Sequence, residues 1–162
     1  MLDRQDSRAQ QQSVQDAEQI DLPGGRLCVV ARMGTDDDDV VLIRARMDQG
    51  RSAPLHAHRD PECFYVLAGC IEVFLGDDER RWHPLGQGQS LLVAGGVKHA
   101  VRNTSNEPAD TMVVTTVRLA RFFREVAGPA SGHGYRPPTS AELELIRRKA
   151  REHGYWLASP ED

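Results

Sequence analysis

Between residues 20 and 118 the chain is a succession of short apolar or β-branched runs broken by Gly, Pro, Asn and Asp: RLCVVARM, DVVLIRARM, ECFYVLAG, CIEVFLG, RRWHPL, SLLVAG, HAVRN and DTMVVTTVRL. Each run has the length of a β-strand, and each break has the chemistry of a hairpin turn. No helix-period segment stands between them, so a parallel sheet is not expected and seven or eight strands in an antiparallel sandwich or barrel are. Within VVLIRARM, Arg44 and Arg46 fall on one face while Ile43, Ala45 and Met47 fall on the other. This is the two-residue period of a strand with one wet side.

The flanks have a different texture. Residues 1–19 are rich in Gln, Asp, Arg and Ser and almost free of large apolar side chains, too polar to offset the entropy of ordering, and are expected to form a mobile tail. An arm that orders against a partner subunit is the alternative. Residues 119–162 form an expected helical extension behind a barrel spanning 20–118. LARFFREVAGP predicts a short helix stopped at Gly128 and Pro129, with Phe122, Phe123 and Val126 placed to seal one end of the barrel. SGHGYRPP reads as a loop. TSAELELIRRKAREHG then predicts a second helix, with Thr139 and Glu142 as a capping box, basic residues in the last turns and Gly154 as the stop. Leu143, Ile146 and Ala150 would give it a narrow docking stripe. There is no internal repeat, and 162 residues suit one domain and hence one site.

A formal charge of −4, with Lys and Arg scattered among Asp and Glu, argues against a nucleic-acid partner. No apolar run approaches the roughly 18 residues of a membrane helix, and MLDRQDSRAQ lacks the apolar core of a secretory signal, so a cytoplasmic location is expected. Cys28, Cys63 and Cys70 form neither a C-x-x-C pair nor an even framework and are expected to be reduced thiols.

Chemistry is concentrated in PLHAHRDPECF. His56 and His58 are two apart, so in a strand both imidazoles leave the same face. A corner at Asp60 and Pro61 would bring Glu62 back beside them on the neighbouring antiparallel strand, with Phe64 and Val66 continuing the inward face. A second stretch, GQSLLVAGGVKHAVRN, places His99 just after a tight turn permitted by Gly95 and Gly96. Three imidazoles and one carboxylate suit a divalent Fe, Mn, Co, Ni or Zn ion and leave two positions of an octahedron open. Other tempting residues have plainer readings. His83, His133 and His153 are expected to be hydrogen-bonded surface or core residues. TDDDDV lacks the alternate spacing and glycine of a calcium loop and is expected to be a solvated turn. Cys63 should face away from Glu62, and Phe64 and Val66 are core residues first and candidate pocket walls second.

These two stretches resemble the two motifs of the cupins. The first is met at every spacing by Gly50, His56, His58, Glu62 and Gly69; the second is met by Gly88, Gly96, His99 and Asn103, with Ala94 where the family has proline. That replacement removes no donor atom. The resemblance covers residues 25–118, and the tail beginning FFREVAGPA is similar to that of the quercetin-dioxygenase-like bacterial cupins. It implies an all-β fold, an antiparallel double-stranded β-helix or jelly-roll barrel with C-terminal helices, holding one divalent metal through His56, His58, Glu62 and His99. Asn103, by the same likeness, ties down a turn and is not a ligand. The implied activity is a metal-dependent dioxygenase acting on a small hydroxylated aromatic or enolisable, diketone-like compound, with dioxygen as a further partner. Glu62 would be either a fixed ligand or a catalytic base, the second role requiring a carboxyl pKa raised by the apolar barrel. Similar cupins are cyclases or isomerases of polyketide-like substrates, or bind a small molecule without turnover. A homodimer is expected by the same resemblance, and the apolar outer residues of MVVTTV suit one.

Overall fold

The computed structural model describes residues 11, 13–23, 25–76, 81–128 and 138–158. Its strands are β1 (Glu18–Leu22), β2 (Gly25–Arg32), β3 (Val40–Met47), β4 (Ser52–Ala57), β5 (Glu62–Ala68), β6 (Cys70–Leu75), β7 (Arg81–Gly86), β8 (Ser90–Val93), β9 (His99–Arg102), β10 (Ala109–Thr116) and β11 (Trp156–Leu157). Two helices, α1 (Val117–Glu125) and α2 (Ser140–His153), lie between β10 and β11. One sheet runs β1-β2-β3-β10-β5-β8 and the other β11-β4-β9-β6-β7. All their pairings are antiparallel. Alternation along the strands turns Val41, Ile43, Phe64, Val66 and Val113 of the first sheet, and Ile71, Val73, Leu85 and Val101 of the second, into one shared core. The all-β antiparallel architecture expected from the sequence is therefore present.

Three strands lie outside the eight expected runs, each for a local reason. β1 begins at Glu18, inside the expected mobile stretch 1–19, because Ile20 is buried and Glu18 binds Arg124 at 2.6 Å. β4 contains Pro54, which cannot donate to a ladder; its pairing with β9 is irregular between Ala53 and His56. β11 has two residues, too few for any period to register.

The helices follow their capping chemistry. α1 starts at Val117, two residues before the expected boundary, because the Thr116 hydroxyl accepts from the Leu119 amide. The aspartate run serves this helix end: the carbonyls of Asp37 and Asp39 accept from Arg118 and Val117, while the carboxylates of Asp37 and Asp38 pair with Arg121 and Arg118. It is a turn, as expected, and it is clasped to α1. Phe122 and Val126 do not join the barrel core but form a second apolar cluster with Leu119, Ala150 and Tyr155, and Phe123 packs against both clusters. α2 has the expected capping box at Thr139 and Glu142, and Gly154 adopts the left-handed conformation at its stop. Of the expected docking stripe, Ala150 is buried and Ile146 packs on the second cluster, but Leu143 is exposed. Of the expected loop at 131–138, residues 131–137 lie outside the described residues.

The two motif segments are joined backbone to backbone. The Gly96 amide donates to the His58 carbonyl at 2.7 Å, and Gly96 sits at φ +86°. Gly95 matters for proximity: a Cβ there would lie 2.1 Å from the Arg59 carbonyl oxygen. Gly95→Ala is therefore expected to push apart the segments carrying His58 and His99 and cost about 1–3 kcal/mol of stability. Denaturant unfolding of the purified variant measures this; an unchanged midpoint would show that the close approach is not a constraint.

Candidate metal centre

His56 ends β4, Glu62 opens β5 and His99 opens β9. In the register, His56 stands opposite His99, and His99 opposite Leu75 on its other side. The corner between β4 and β5 folds Glu62 back beside His58. One ligand atom from each of His56, His58, Glu62 and His99 lies within 4.8 Å of the others. Among the described residues this is the one grouping of three or more such side chains. His58, Glu62 and His99 are buried, while His56 is half-buried and stands nearest solvent.

Each imidazole is oriented the same way. The Nδ1 of His56 lies 2.7 Å from the Pro54 carbonyl, that of His58 2.8 Å from Asp60 and that of His99 2.9 Å from Val97. A carbonyl can only accept, so each Nδ1 carries a proton and donates it, which leaves Nε2 of the neutral ring as a bare lone pair. Glu62 Oε2 lies 3.2 Å from His58 Nε2 and 2.9 Å from His99 Nε2. Without a cation, a hydrogen bond at either place needs a doubly protonated imidazolium. The donor set thus fits a divalent ion: three lone pairs and one anionic oxygen, pre-oriented by backbone carbonyls.

The protonation equilibria follow from this crowding. Burial is the largest single influence on Glu62 and pushes its pKa up, but the bonds from His58 and His99 and their charge together hold it well below the usual carboxylate range. The raised pKa that a base role would require is therefore corrected: Glu62 is an anion here. Burial likewise opposes the charged form of His58, yet the bond to Glu62 and its charge outweigh burial and raise the pKa. His56 is lowered to about 4, first by burial and then by the charge of His99.

Other sequence-level candidates fall into place around this centre. Asn103 is fully buried; its Nδ2 donates to the Met47 and Glu107 carbonyls and its Oδ1 accepts from Ser105, so it ties down the β9–β10 turn. Cys63 lies on the opposite face of β5 from Glu62 and outside the cluster. His153 Nε2 is 3.3 Å from Glu125. His83 departs from its reading: its Nε2 is buried with no hydrogen-bond partner among the described residues, and it stands opposite core residue Val73 on the interior face. His133 lies outside the described residues.

Sequence reasoning missed a second buried carboxylate. Asp60, 1% exposed, accepts from the hydroxyls of Thr116 and Tyr155 at 2.5 and 2.6 Å and from Arg118 Nε at 3.0 Å. Burial and the bond to Asp60 push the Tyr155 phenol well above its ordinary value, so it remains a donor. The Asp-Pro corner was legible, but Tyr155, just beyond the helix stop, carries no periodic or spacing signal.

A family model described as a cupin domain matches residues 43–115, the span holding all four candidate ligands. Over that span the chain carries a cupin domain. Among curated proteins none matches its sequence. Solved structures similar to this cupin include the polyketide cyclase RemF from Streptomyces resistomycificus, at 20% identity and TM-score 0.58, covering 67% of this chain and 80% of that one. KdgF from Halomonas sp. is similar at 18% identity and TM-score 0.53, covering 63% and 89%. An oxalate decarboxylase variant from Bacillus subtilis is similar at 20% identity and TM-score 0.52, with 64% of this cupin covering 28% of that chain. At such identities the likeness establishes the jelly-roll fold.

Because His56 is already neutral near pH 7 while His58 holds its proton more tightly than a free imidazole, loading Zn²⁺ is expected to release protons. Affinity should fall as pH is lowered, by about tenfold per unit for each proton released. Titration calorimetry in two buffers of different ionisation enthalpy reads this directly. His99→Ala should lose most of the metal, and a variant retaining the full metal content would remove His99 from the site.

Proposed function

We propose that this cupin is a metal-dependent dioxygenase acting on a small hydroxylated aromatic or enolisable, diketone-like compound. The observation that carries the reading is the convergence of His56, His58, Glu62 and His99 with every Nδ1 already engaged. A divalent transition ion held by these four would supply positive charge for a deprotonated substrate oxygen and redox capacity toward dioxygen. Glu62, whose pKa the two imidazoles hold down, is a weak proton acceptor and in this reading serves as a fixed ligand. The half-buried side of His56 is the approach for substrate, and the buried side chains of Phe64, Val66 and Val93 form an apolar wall that excludes water.

His83 supplies the second point of recognition in this reading. Val73 pairs with His83 on one side and Val101 on the other, one pleat from the Leu75–His99 level, so both imidazoles face the same interior. Two strand spacings and two residues separate their Cα positions by roughly 12 Å, which their inward side chains narrow to the span of a small aromatic compound. The unpartnered Nε2 suits a polar group at the end of the substrate remote from the ion.

A second reading is favoured by the likeness to a polyketide cyclase: a cyclase or isomerase that uses the ion's charge and consumes no oxygen. An oxygen-electrode screen of metal-loaded protein against flavonols and acetylacetone-like diketones separates the two. Stoichiometric oxygen uptake is expected. Product formed at an undiminished rate under strict anaerobiosis would defeat the dioxygenase and leave the cyclase. His83→Leu should raise KM several-fold with little change in kcat.

The outer face of the β10-β5-β8 edge exposes Tyr65 and Leu92 beside half-buried Cys63, Met112 and Val114, which supports a homodimer through this face. Sedimentation equilibrium should give twice the chain mass for the wild type and the chain mass for Leu92→Asp. A monomeric wild type would dispose of the dimer.

A further inference from the structure

The C-terminal segment is built against the metal centre at three places. The Tyr155 hydroxyl donates to Asp60 Oδ2 at 2.6 Å, and Asp60 presents its own carbonyl to His58 Nδ1 at 2.8 Å. The Tyr155 ring stands 5.5 Å from the His58 ring, centroid to centroid. β11 pairs with β4 so that Leu157 lies opposite His56, and the Ala158 amide donates to the Leu55 carbonyl at 2.9 Å. Beside His99, the Lys98 ammonium lies over the Trp156 ring, 4.0 Å from its centroid. Residues 155–158 therefore touch the segments carrying all three imidazoles, although the barrel sheets close without them.

We propose that Tyr155 and Asp60 are positioning residues that hold His58 in its ligating orientation, and that metal loading is thereby coupled to docking of residues 155–158. This rests on the metal reading above. The physical basis is rigidity. Asp60 is buried and its carboxylate is fixed by three donors from β10, α1 and the C-terminal segment. A fixed Asp60 side chain fixes its peptide, and that peptide carbonyl selects which nitrogen of His58 bears the proton and where the other points. Without the phenol, one buried carboxylate oxygen loses its donor and the 58–62 corner gains freedom. Coupling is reciprocal: whatever the docked segment contributes to metal affinity, the metal returns as protection of the segment.

Two measurements test this on the full chain. In the wild type, hydrogen exchange is followed with and without Zn²⁺; the Ala158 amide is expected to slow by about tenfold on loading, and unchanged exchange at 155–158 while Zn²⁺ binds would overturn the coupling. Tyr155→Phe keeps the ring against Phe122 and His153 but removes the donor. It is expected to weaken Zn²⁺ binding by about tenfold or more, and to shift the ¹⁵N–¹H signal of the His58 Nδ1 proton in metal-free protein and speed its exchange, as the bond to the Asp60 carbonyl loosens. Thr139→Ala, which opens the α2 capping box far from Asp60 in the bonding network, should lower thermal stability while leaving both readouts unchanged. A Tyr155→Phe protein that is merely less stable, with wild-type affinity and wild-type His58 signals, refutes the positioning role. If wild-type protein binds no Zn²⁺, the metal reading fails instead, and the metal-free His58 signals still decide whether Tyr155 acts on His58.

Discussion

Glu62 is a carboxylate with 5% of its surface exposed, set on the same strand face as the core residues Phe64 and Val66. An isolated anion there would be costly by several kcal/mol, and the usual relief is to take up a proton. The structure relieves it differently, by placing two imidazole nitrogens within 3.2 Å of one oxygen. That arrangement demands that strands far apart in sequence meet with fixed register, because a one-residue slip would turn a ligand to the outer face. The jelly-roll order of the strands, the close glycine contact between the two motif segments and the carbonyls that orient each histidine all serve this one meeting of charges.

A second carboxylate lies two residues earlier and is solved by different means. Asp60 is surrounded by an arginine, a threonine and a tyrosine, which donate to both of its oxygens. Glu62, by contrast, faces only imidazoles, whose protons an ion can displace. The Asp60-Pro61 corner thus separates two buried acids by function: one anchors the corner to α1 and the C-terminal segment, the other presents a donor oxygen inward.

The fold alone is shared by proteins named for cyclisation and for decarboxylation, so the barrel does not select the chemistry. The chemistry is left to side chains on the interior faces. The unpartnered nitrogen of His83 is polar in an otherwise apolar neighbourhood of Val73, Leu85 and Val101. Leaving such a group unanswered costs stability.

Most of the barrel and all four residues of the candidate site could be read from the chain by itself. Strand alternation is a local property of neighbouring residues, and the spacing of His56, His58 and Glu62 across one corner is local too. β4 is absent from the apolar runs and was legible only through the His56–His58 spacing, and β11 escaped because two residues carry no period. Tertiary structure alone decided what spans distance. It set the ionisation of Glu62, which depends on His99, 37 residues away, and which reversed the expected direction. It also placed Tyr155 on Asp60 across 95 residues. Patterning tells which face a side chain leaves, but pKa values and buried hydrogen bonds depend on which other groups arrive there, and only the packed sheets bring them together.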